Sequence, residues 1–234
     1  YEEAEAAYRT VIEKAHAATA RAAQVFTNPN PGAHTLFNSL CWSRSALIQL
    51  PGKARGAERA DGSVLPVQEI GRHAFAEVKV PPCGWTTIKI RQSSAPSSDN
   101  PDSKGARCEA RLLENNRIRL QFNSKGEISS ILDKETGCTL NAGPCNSFRM
   151  FKDVPAQWDA WDIDSVYAAT PVDLPEDAEF EVITAGPLVA QIRITRKLHN
   201  SQMQQIVSLR RNSRRVDFQT TIQWQERHKL LKVA

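Results

Sequence analysis

Residues 116–133 read NRIRLQF, NSKGE and ISSILD in succession, and this stretch decides the fold class. Ile118, Leu120 and Phe122 alternate with polar side chains, which is the period of a strand that buries one face. NSKGE contains the Asn and Gly that favour a turn, and ISSILD returns the chain. We therefore expect an antiparallel β-hairpin here.

The same alternation continues toward the C-terminus. Residues 179–198, EFEVITAGPLVAQIRITRKL, alternate twice around a Gly-Pro break. In VDFQTTIQW (residues 216–224), one face of the expected strand carries the apolar side chains Val216, Phe218, Ile222 and Trp224. The sequence has no βαβ rhythm and no GxGxxG, P-loop or GxSxG motif. These patterns predict a mainly β protein, built as a large antiparallel β-sandwich.

The first 26 residues differ from the rest. Ala, Tyr, Val and Ile recur at helical spacing in YEEAEAAYRTVIEKAHAATARAAQVF, with Glu, Lys and Arg between them. This pattern predicts one amphipathic helix whose apolar stripe is formed mostly by small residues. Because a lone helix is marginal in water, we expect it to pack against other helices or a sheet.

Breaker residues divide the chain. NPNPGAH (residues 28–34) marks a boundary, and TLFNSLCWSRSALIQLPG (35–52) reads as strand, turn and strand. Short β-like runs follow as far as Arg91, and the Ser-, Pro- and Asp-rich residues 92–107 read as a linker or loop. The expected domains are a helix at 1–27, a small antiparallel β-sandwich at 28–91, the flexible linker at 92–107, and part of a large β-sandwich at 108–234.

Composition excludes several classes of protein. The formal charge of +4 over 234 residues gives no reason to expect nucleic acid or a membrane surface as a partner. No apolar run approaches the roughly 18–20 residues that span a bilayer. The five cysteines are odd in number and lack CxxC spacing, so we interpret them as free thiols in a reducing compartment. The five histidines form no HExxH frame, which predicts no metal site.

Two charged stretches allow a functional and a structural interpretation. LRRNSRRVDF (residues 209–218) has the charge to bind phosphate, but its flanking strands favour a solvated hairpin turn. Glu226 and His228 lie two residues apart, so in a strand they would share a face as an acid–base pair. A charged strand end is the commoner arrangement, and we prefer it.

WDAWDID (residues 158–164) combines two tryptophans with three aspartates. A Trp ring packs on the apolar C–H face of a pyranose, and carboxylates accept hydrogen bonds from sugar hydroxyls. Carboxylates this close in sequence rarely flank a glycosidic bond at the separation that hydrolysis requires. The stretch is therefore either a carbohydrate contact or a loop that packs its rings and solvates its acids.

Four stretches carry a family resemblance. Segments 37–51 (FNSLCWSRSALIQLP), 113–140 (LENNRIRLQFNSKGEISSILDKETGCTL), WDAWDID and 215–234 (RVDFQTTIQWQERHKLLKVA) resemble segments of the α-mannosidases of glycoside hydrolase family 38. The likeness is strongest to the cytosolic and bacterial branch. It implies a catalytic α/β barrel, a three-helix bundle and then β-sandwiches. The chain would supply one bundle helix, a small β domain and an incomplete galactose-mutarotase-like supersandwich.

The resemblance also implies an activity. Family members hydrolyse terminal α-linked mannose of oligosaccharides with retention, using an Asp nucleophile, a second carboxylate as acid/base and a zinc ion. The family's zinc-binding His-Asp motif has no counterpart in this sequence, and the nucleophile belongs to the barrel. The resemblance therefore implies no catalytic residue in this chain, no zinc bound to it and no hydrolysis by it alone.

One binding site follows from the resemblance. Trp161 matches an aromatic residue that reaches from the sandwich into the family's sugar pocket, and Asp162 offers an acceptor beside it. Trp158 and Asp159 are neighbouring substrate contacts. The implied partners are α-mannoside oligosaccharides in the cytoplasm, and unpaired strand edges predict self-association. Two alternatives remain, a stand-alone carbohydrate-binding β-sandwich module and a sandwich with no ligand.

Overall fold

A computed structural model describes residues 1–27, 32–93, 105–158 and 161–234. The chain divides into two compact units, residues 1–97 and 98–234. Both are built from antiparallel sheets, and one α-helix precedes them. Residues 28–31 of the expected boundary and 94–104 of the expected linker lie outside the described residues.

The expected helix forms as α1, Glu2–Gln24, with three acidic residues in its first turn and Arg21 in its last. This charge distribution suits the helix dipole. We predicted that the helix packs against other helices or a sheet. Within the described residues this packing is not found, since α1 buries no side chain and Tyr8 is 69% exposed. Phe26, just beyond the helix, lies 5.2 Å from the ring of Trp85. No helix in the described ranges is long and apolar enough to span a membrane.

The described residues of the first unit form six strands, which are β1 (Ala33–Asn38), β2 (Arg44–Gln49), β3 (Gly56–Arg59), β4 (Val67–Ile70), β5 (His73–Val80) and β6 (Gly84–Arg91). The order β1-β6-β3 forms one sheet and β2-β5-β4 a second. The two strands predicted within 35–52 are confirmed as β1 and β2, but they belong to different sheets. The chain crosses from one sheet to the other at residues 39–43.

The two sheets of the first unit share one apolar core. β5 supplies alternate buried residues, as its pattern of small and β-branched side chains predicts. Ile88 of β6 meets them from the other sheet and is fully buried. The core comprises Leu50, Ala54, Ala57, Leu65, Ala74, Ala76, Val78, Val80 and Ile88.

Eleven strands lie in the described part of the second unit, which are β7 (Arg107–Glu109), β8 (Leu112–Glu114), β9 (Ile118–Phe122), β10 (Ile128–Asp133), β11 (Phe148–Lys152), β12 (Pro171–Val172), β13 (Glu179–Ala185), β14 (Val189–Leu198), β15 (Ser201–Arg210), β16 (Val216–Gln223) and β17 (Lys229–Val233). A short 3₁₀ helix spans Ser165–Ala169. The sheet orders are β10-β9-β8-β7, β12-β11-β17 and β13-β14-β15-β16.

The sheet of β13 to β16 is shared by two cores. Ile192 and Ile194 of β14 pack with Leu120 and other residues of the β7–β10 sheet. Farther along the same sheet, Leu198 and Met203 pack with Met150 of β11. The two predicted hairpins are confirmed, because β9 pairs with β10 and β15 with β16, both antiparallel. The two alternating runs of residues 179–198 also pair with each other, as β13 and β14.

The turn between β9 and β10 shows why its Gly is needed. Gly126 has φ +79°, and a Cβ there would lie 2.6 Å from Cγ2 of Ile194. The carboxamide oxygen of Asn123 accepts the N–H groups of Lys125 and Glu127, each at 3.0 Å. A side chain at residue 126 would therefore meet both an unfavourable backbone conformation and the core.

One apolar face of the second unit is open. A groove of about 630 Å³ lies along β16 and is lined by its side chains Val216, Phe218 and Ile222. Phe218 is 44% exposed. The predicted alternation thus correctly identifies the apolar face of β16. Within the described residues, however, that face is partly exposed to solvent.

Candidate functional site

The tryptophan loop, defined as residues 153–164, connects β11 to the 3₁₀ helix. Met150 anchors β11 in the core beneath it, at 1% exposure. The loop's other end is fixed by Tyr167, whose ring meets that of Phe151 edge-on at 5.2 Å. Lys232 of β17 lies over the Tyr167 ring at 4.6 Å and also contacts its hydroxyl. Side chains from two strands therefore hold the base of the loop.

Backbone hydrogen bonds fix the two tryptophans. Trp158 has φ +59°, a left-handed conformation that reverses the chain. Its carbonyl oxygen accepts the N–H groups of Trp161 at 2.7 Å and Asp162 at 2.9 Å. The rings nonetheless remain in solvent, with Trp158 73% and Trp161 86% exposed. The interpretation in which these rings pack into the core is therefore wrong.

The acids of the loop differ in their surroundings. A carboxylate oxygen of Asp164 accepts the Ala156 N–H at 3.3 Å, so this residue closes the loop. Asp162 is exposed beside Trp161, and its carboxylate meets no hydrogen-bond donor within the described part of the chain. Asp159 lies outside the described residues. The described residues of the loop thus present the rings of Trp158 and Trp161 and the carboxylate of Asp162 to solvent.

A zinc site is not found in the described chain. No three residues among the described His, Cys, Asp and Glu lie close enough to hold a metal ion. The residues present in these ranges therefore do not fit the zinc that the resemblance implies for the whole enzyme.

Glu226 forms a second polar cluster, which the sequence interpretation missed. It lies just before β17, as the preferred interpretation of a charged strand end expects, but its side chain is 0% exposed. It accepts hydrogen bonds from the Asn200 N–H at 2.6 Å, His199 Nδ1 at 2.9 Å and the Ser201 hydroxyl at 3.1 Å. Lys229 lies 3.1 Å away. The histidine partner is His199, and the pairing with His228 is wrong.

The surroundings of Glu226 identify its role. Burial alone would raise the pKa of this carboxyl, but the hydrogen bonds from Lys229, Asn200, Ser201 and His199 outweigh it and lower the pKa to about 2. A carboxylate that is permanently ionised and fully hydrogen-bonded cannot exchange protons near neutral pH. Glu226 therefore ties the β14–β15 turn to the segment before β17 and is not an acid–base catalyst.

Glu114 is held in a similar way on the outer face of the β7–β10 sheet. Arg107 and Arg119 lie opposite it on the neighbouring strands, and Lys134 also contacts it. Burial raises the pKa of Glu114, but the hydrogen bonds from Lys134, Arg107 and Arg119 lower it to about 2. The cross-strand register places these residues together, so the cluster stabilises the sheet.

The arginine-rich stretch is confirmed as a hairpin turn between β15 and β16. Arg214 pairs with Glu135 and lies 3.4 Å from Asp133. Arg215 pairs with Asp217. These carboxylates neutralise much of the positive charge of the turn. This arrangement agrees with the structural interpretation of the stretch as a hairpin turn.

The family follows from the strands that surround the tryptophan loop. Residues 113–234, from β8 through β17, match the model of the glycosyl hydrolases family 38 C-terminal domain. The chain belongs to glycosyl hydrolase family 38. The match covers the tryptophan loop, the Glu226 cluster and Glu114 itself, whereas Arg107 of the Glu114 cluster lies before the matched residues.

Relatives of this family 38 chain are α-mannosidases. α-Mannosidase G of Dictyostelium discoideum is 30% identical over an alignment of 213 residues that covers 84% of this chain and 19% of that protein. α-Mannosidase 2C1 of Mus musculus is 28% identical over an alignment of 225 residues that covers 92% of this chain and 20% of that protein. The chain therefore spans about a fifth of the length of the curated relatives it matches.

Solved structures agree on the fold. A family 38 protein from Enterococcus faecalis superposes with a TM-score of 0.66 at 14% identity, over 88% of this chain and 33% of that one. An α-mannosidase from Enterococcus faecalis V583 gives a TM-score of 0.61 at 15% identity, over 87% and 31%. At these identities the likeness concerns the fold alone.

Proposed function

We propose that this chain is a non-catalytic part of an α-mannosidase that removes terminal α-linked mannose from oligosaccharides. In this proposal, the tryptophan loop forms one wall of the sugar pocket, and Trp161 and Asp162 contact the mannose. The family membership and the α-mannosidase relatives support the activity of the whole enzyme. The exposed loop supports the role of this part.

The exposure of Trp161 carries the proposal. A Trp side chain presents a large apolar area, and burying it gains roughly 25 cal/mol per Å². The Trp161 ring is 86% exposed on a loop with fixed backbone hydrogen bonds, so the fold does not obtain this free energy of burial. Its free face suits the C–H face of a pyranose, and the Asp162 carboxylate suits a neighbouring hydroxyl.

The retaining, zinc-assisted mechanism belongs to the same proposal. Its two carboxylates and its metal ligands would come from other parts of the enzyme. Zinc would there orient the sugar and stabilise developing charge. We also propose a cytoplasmic location, which the likeness to the cytosolic branch supports.

The chain by itself should not hydrolyse p-nitrophenyl α-mannoside, because the motifs that the resemblance assigns to catalysis have no counterpart in its sequence. The longer protein, with its upstream region, should hydrolyse it. Release of p-nitrophenol by the two proteins at equal concentration is the measurement. Hydrolysis by the isolated chain that survives chelation and repurification would contradict the proposal.

A stand-alone carbohydrate-binding module is the second candidate, and the paired exposure of Trp158 and Trp161 favours it. Such a module would bind mannose without help from another domain. Titration of the isolated chain with mannose, followed by the indole N–H signals in NMR spectra, separates the two. We expect no shift at millimolar sugar, and a saturable shift would favour the module.

Self-association of the isolated chain is a further prediction of the proposal. The groove along β16 is apolar, and the outer edge of β16 pairs with no described strand. Both features favour contact with a second copy. Light scattering should show a mass that rises with concentration, and Phe218→Lys should lower it. A monodisperse monomer at high concentration would contradict this prediction.

A further inference from the structure

Two exposed cysteines lie on neighbouring loops of the first unit. Cys41 is in the crossing segment 39–43, and Cys83 is in the turn between β5 and β6. Neither belongs to the tryptophan loop or to the apolar core. The two cysteines are far apart in the sequence, but the fold brings them close together.

Asn38 ties the two loops together. Its side chain is buried, with the residue 5% exposed. The carboxamide nitrogen donates to the carbonyl oxygens of Trp42 and Pro81, each at 2.8 Å. One donor group thus bridges the segment that holds Cys41 and the turn that holds Cys83, so their spacing is fixed.

A direct backbone contact bounds the distance between the cysteines. The Cys83 N–H donates to the Leu40 carbonyl oxygen at 2.8 Å. In a trans peptide that oxygen lies about 2.8 Å from the next Cα, here that of Cys41. Adding the N–Cα bond of Cys83 gives at most about 7 Å between the two Cα atoms, and bends at the oxygen and nitrogen shorten it. Disulfides span Cα distances of about 4.4–6.8 Å.

The Cys83 side chain also points the right way. Its Sγ lies 3.7 Å from the same Leu40 oxygen, which belongs to the residue directly before Cys41. The Cys83 backbone has φ +41°. Both thiols are exposed, so a small oxidant can reach them.

We propose that Cys41 and Cys83 form a reversible disulfide by exchange with a low-molecular-weight disulfide such as glutathione disulfide. One cysteine thiolate attacks a glutathione sulfur, which breaks the glutathione S–S bond and releases one glutathione thiolate. The other cysteine, as its thiolate, then attacks the mixed disulfide and releases the second glutathione. Two cysteine thiols are oxidised and one glutathione disulfide is reduced to two glutathiones.

The bridge would strengthen the first unit. It links the segment between the two sheets to a hairpin turn and closes a loop of roughly 40 residues, which restricts the unfolded chain. The melting temperature of the oxidised chain should therefore exceed that of the reduced chain by about 5 °C or more.

The test equilibrates the full chain in glutathione buffers of increasing oxidised fraction, followed by alkylation and peptide mapping. The expected result is a mass loss of about 2 Da, a linked peptide pair that contains residues 41 and 83, and the rise in melting temperature. Cys138→Ser is the matched control, because Cys138 is also exposed. This variant should still form the linked pair.

Cys41→Ser and Cys83→Ser should each abolish the linked pair and the rise in melting temperature. Reduced samples of both variants should melt close to the reduced wild type, since both positions are exposed. The proposal is overturned if wild type gives no 41–83 peptide at any glutathione ratio, or if only mixed glutathione adducts form.

Discussion

Trp161→Ala in the whole enzyme is expected to lower kcat/KM for an α-mannoside by about tenfold or more, which corresponds to about 1.4 kcal/mol of transition-state binding. The indole would lose its contact with the sugar, whereas the fold would lose little, because the ring is 86% exposed. Steady-state kinetics with p-nitrophenyl α-mannoside give the effect. Circular dichroism and the melting temperature should match those of wild type.

Two further variants show whether the effect belongs to this ring. Trp161→Tyr keeps an aromatic face and should retain most of the activity. Trp42→Ala removes another exposed ring, 57% exposed and in the first unit, and should leave kcat/KM unchanged. Wild-type activity in Trp161→Ala, or an equal loss in Trp42→Ala, would show that Trp161 does not contact the substrate.

Glu226→Gln is expected to destabilise the second unit by about 2–4 kcal/mol, because it leaves buried donors and Lys229 without a carboxylate. Denaturant unfolding followed by circular dichroism measures the loss. Glu179→Gln removes the same charge from an exposed strand position and should cost less than about 0.5 kcal/mol. Equal stability of the two variants would mean that the Glu226 cluster does not hold the turn.

Acid should erase the difference between wild type and Glu226→Gln. The folded-state pKa of about 2 lies below 4.5, the ordinary value of a glutamic acid side chain, so the unfolded chain binds the proton more readily. The stabilisation is therefore complete above about pH 4.5 and is lost as the pH falls toward 2. The pKa of Glu114 is also about 2, so the wild type loses the stabilisation by Glu114 over the same pH range. A difference that stays constant down to pH 2.5 would contradict the charged role of Glu226.

Local patterns predict the strands well, because alternation and turn chemistry are local. The β9–β10 hairpin follows from Ile118, Leu120 and Phe122 and from the Asn and Gly of its turn. The β3 strand, Gly56–Arg59, escapes such reasoning because four residues are too few to show a period. That β1 and β2 lie in different sheets depends on long-range pairing, because β1 pairs with β6 and β2 pairs with β5, both much later in the chain.

The candidate sites also differ in whether local sequence reveals them. The tryptophan loop is visible in sequence because its rings and acids are neighbours. Glu226 is not, since its donors come from the turn at His199 and Asn200, on another strand pair. The Cys41–Cys83 pair depends on a hydrogen bond between two loops, and no spacing rule reveals it.

The central claim is that this chain belongs to a larger α-mannosidase whose catalytic residues lie elsewhere. Reading the coding sequence upstream of Tyr1 tests it most directly. We expect a continuous reading frame that encodes an α/β barrel with a zinc-binding His-Asp motif and, within the barrel, an Asp nucleophile. An in-frame stop codon shortly before the Tyr1 codon would contradict it.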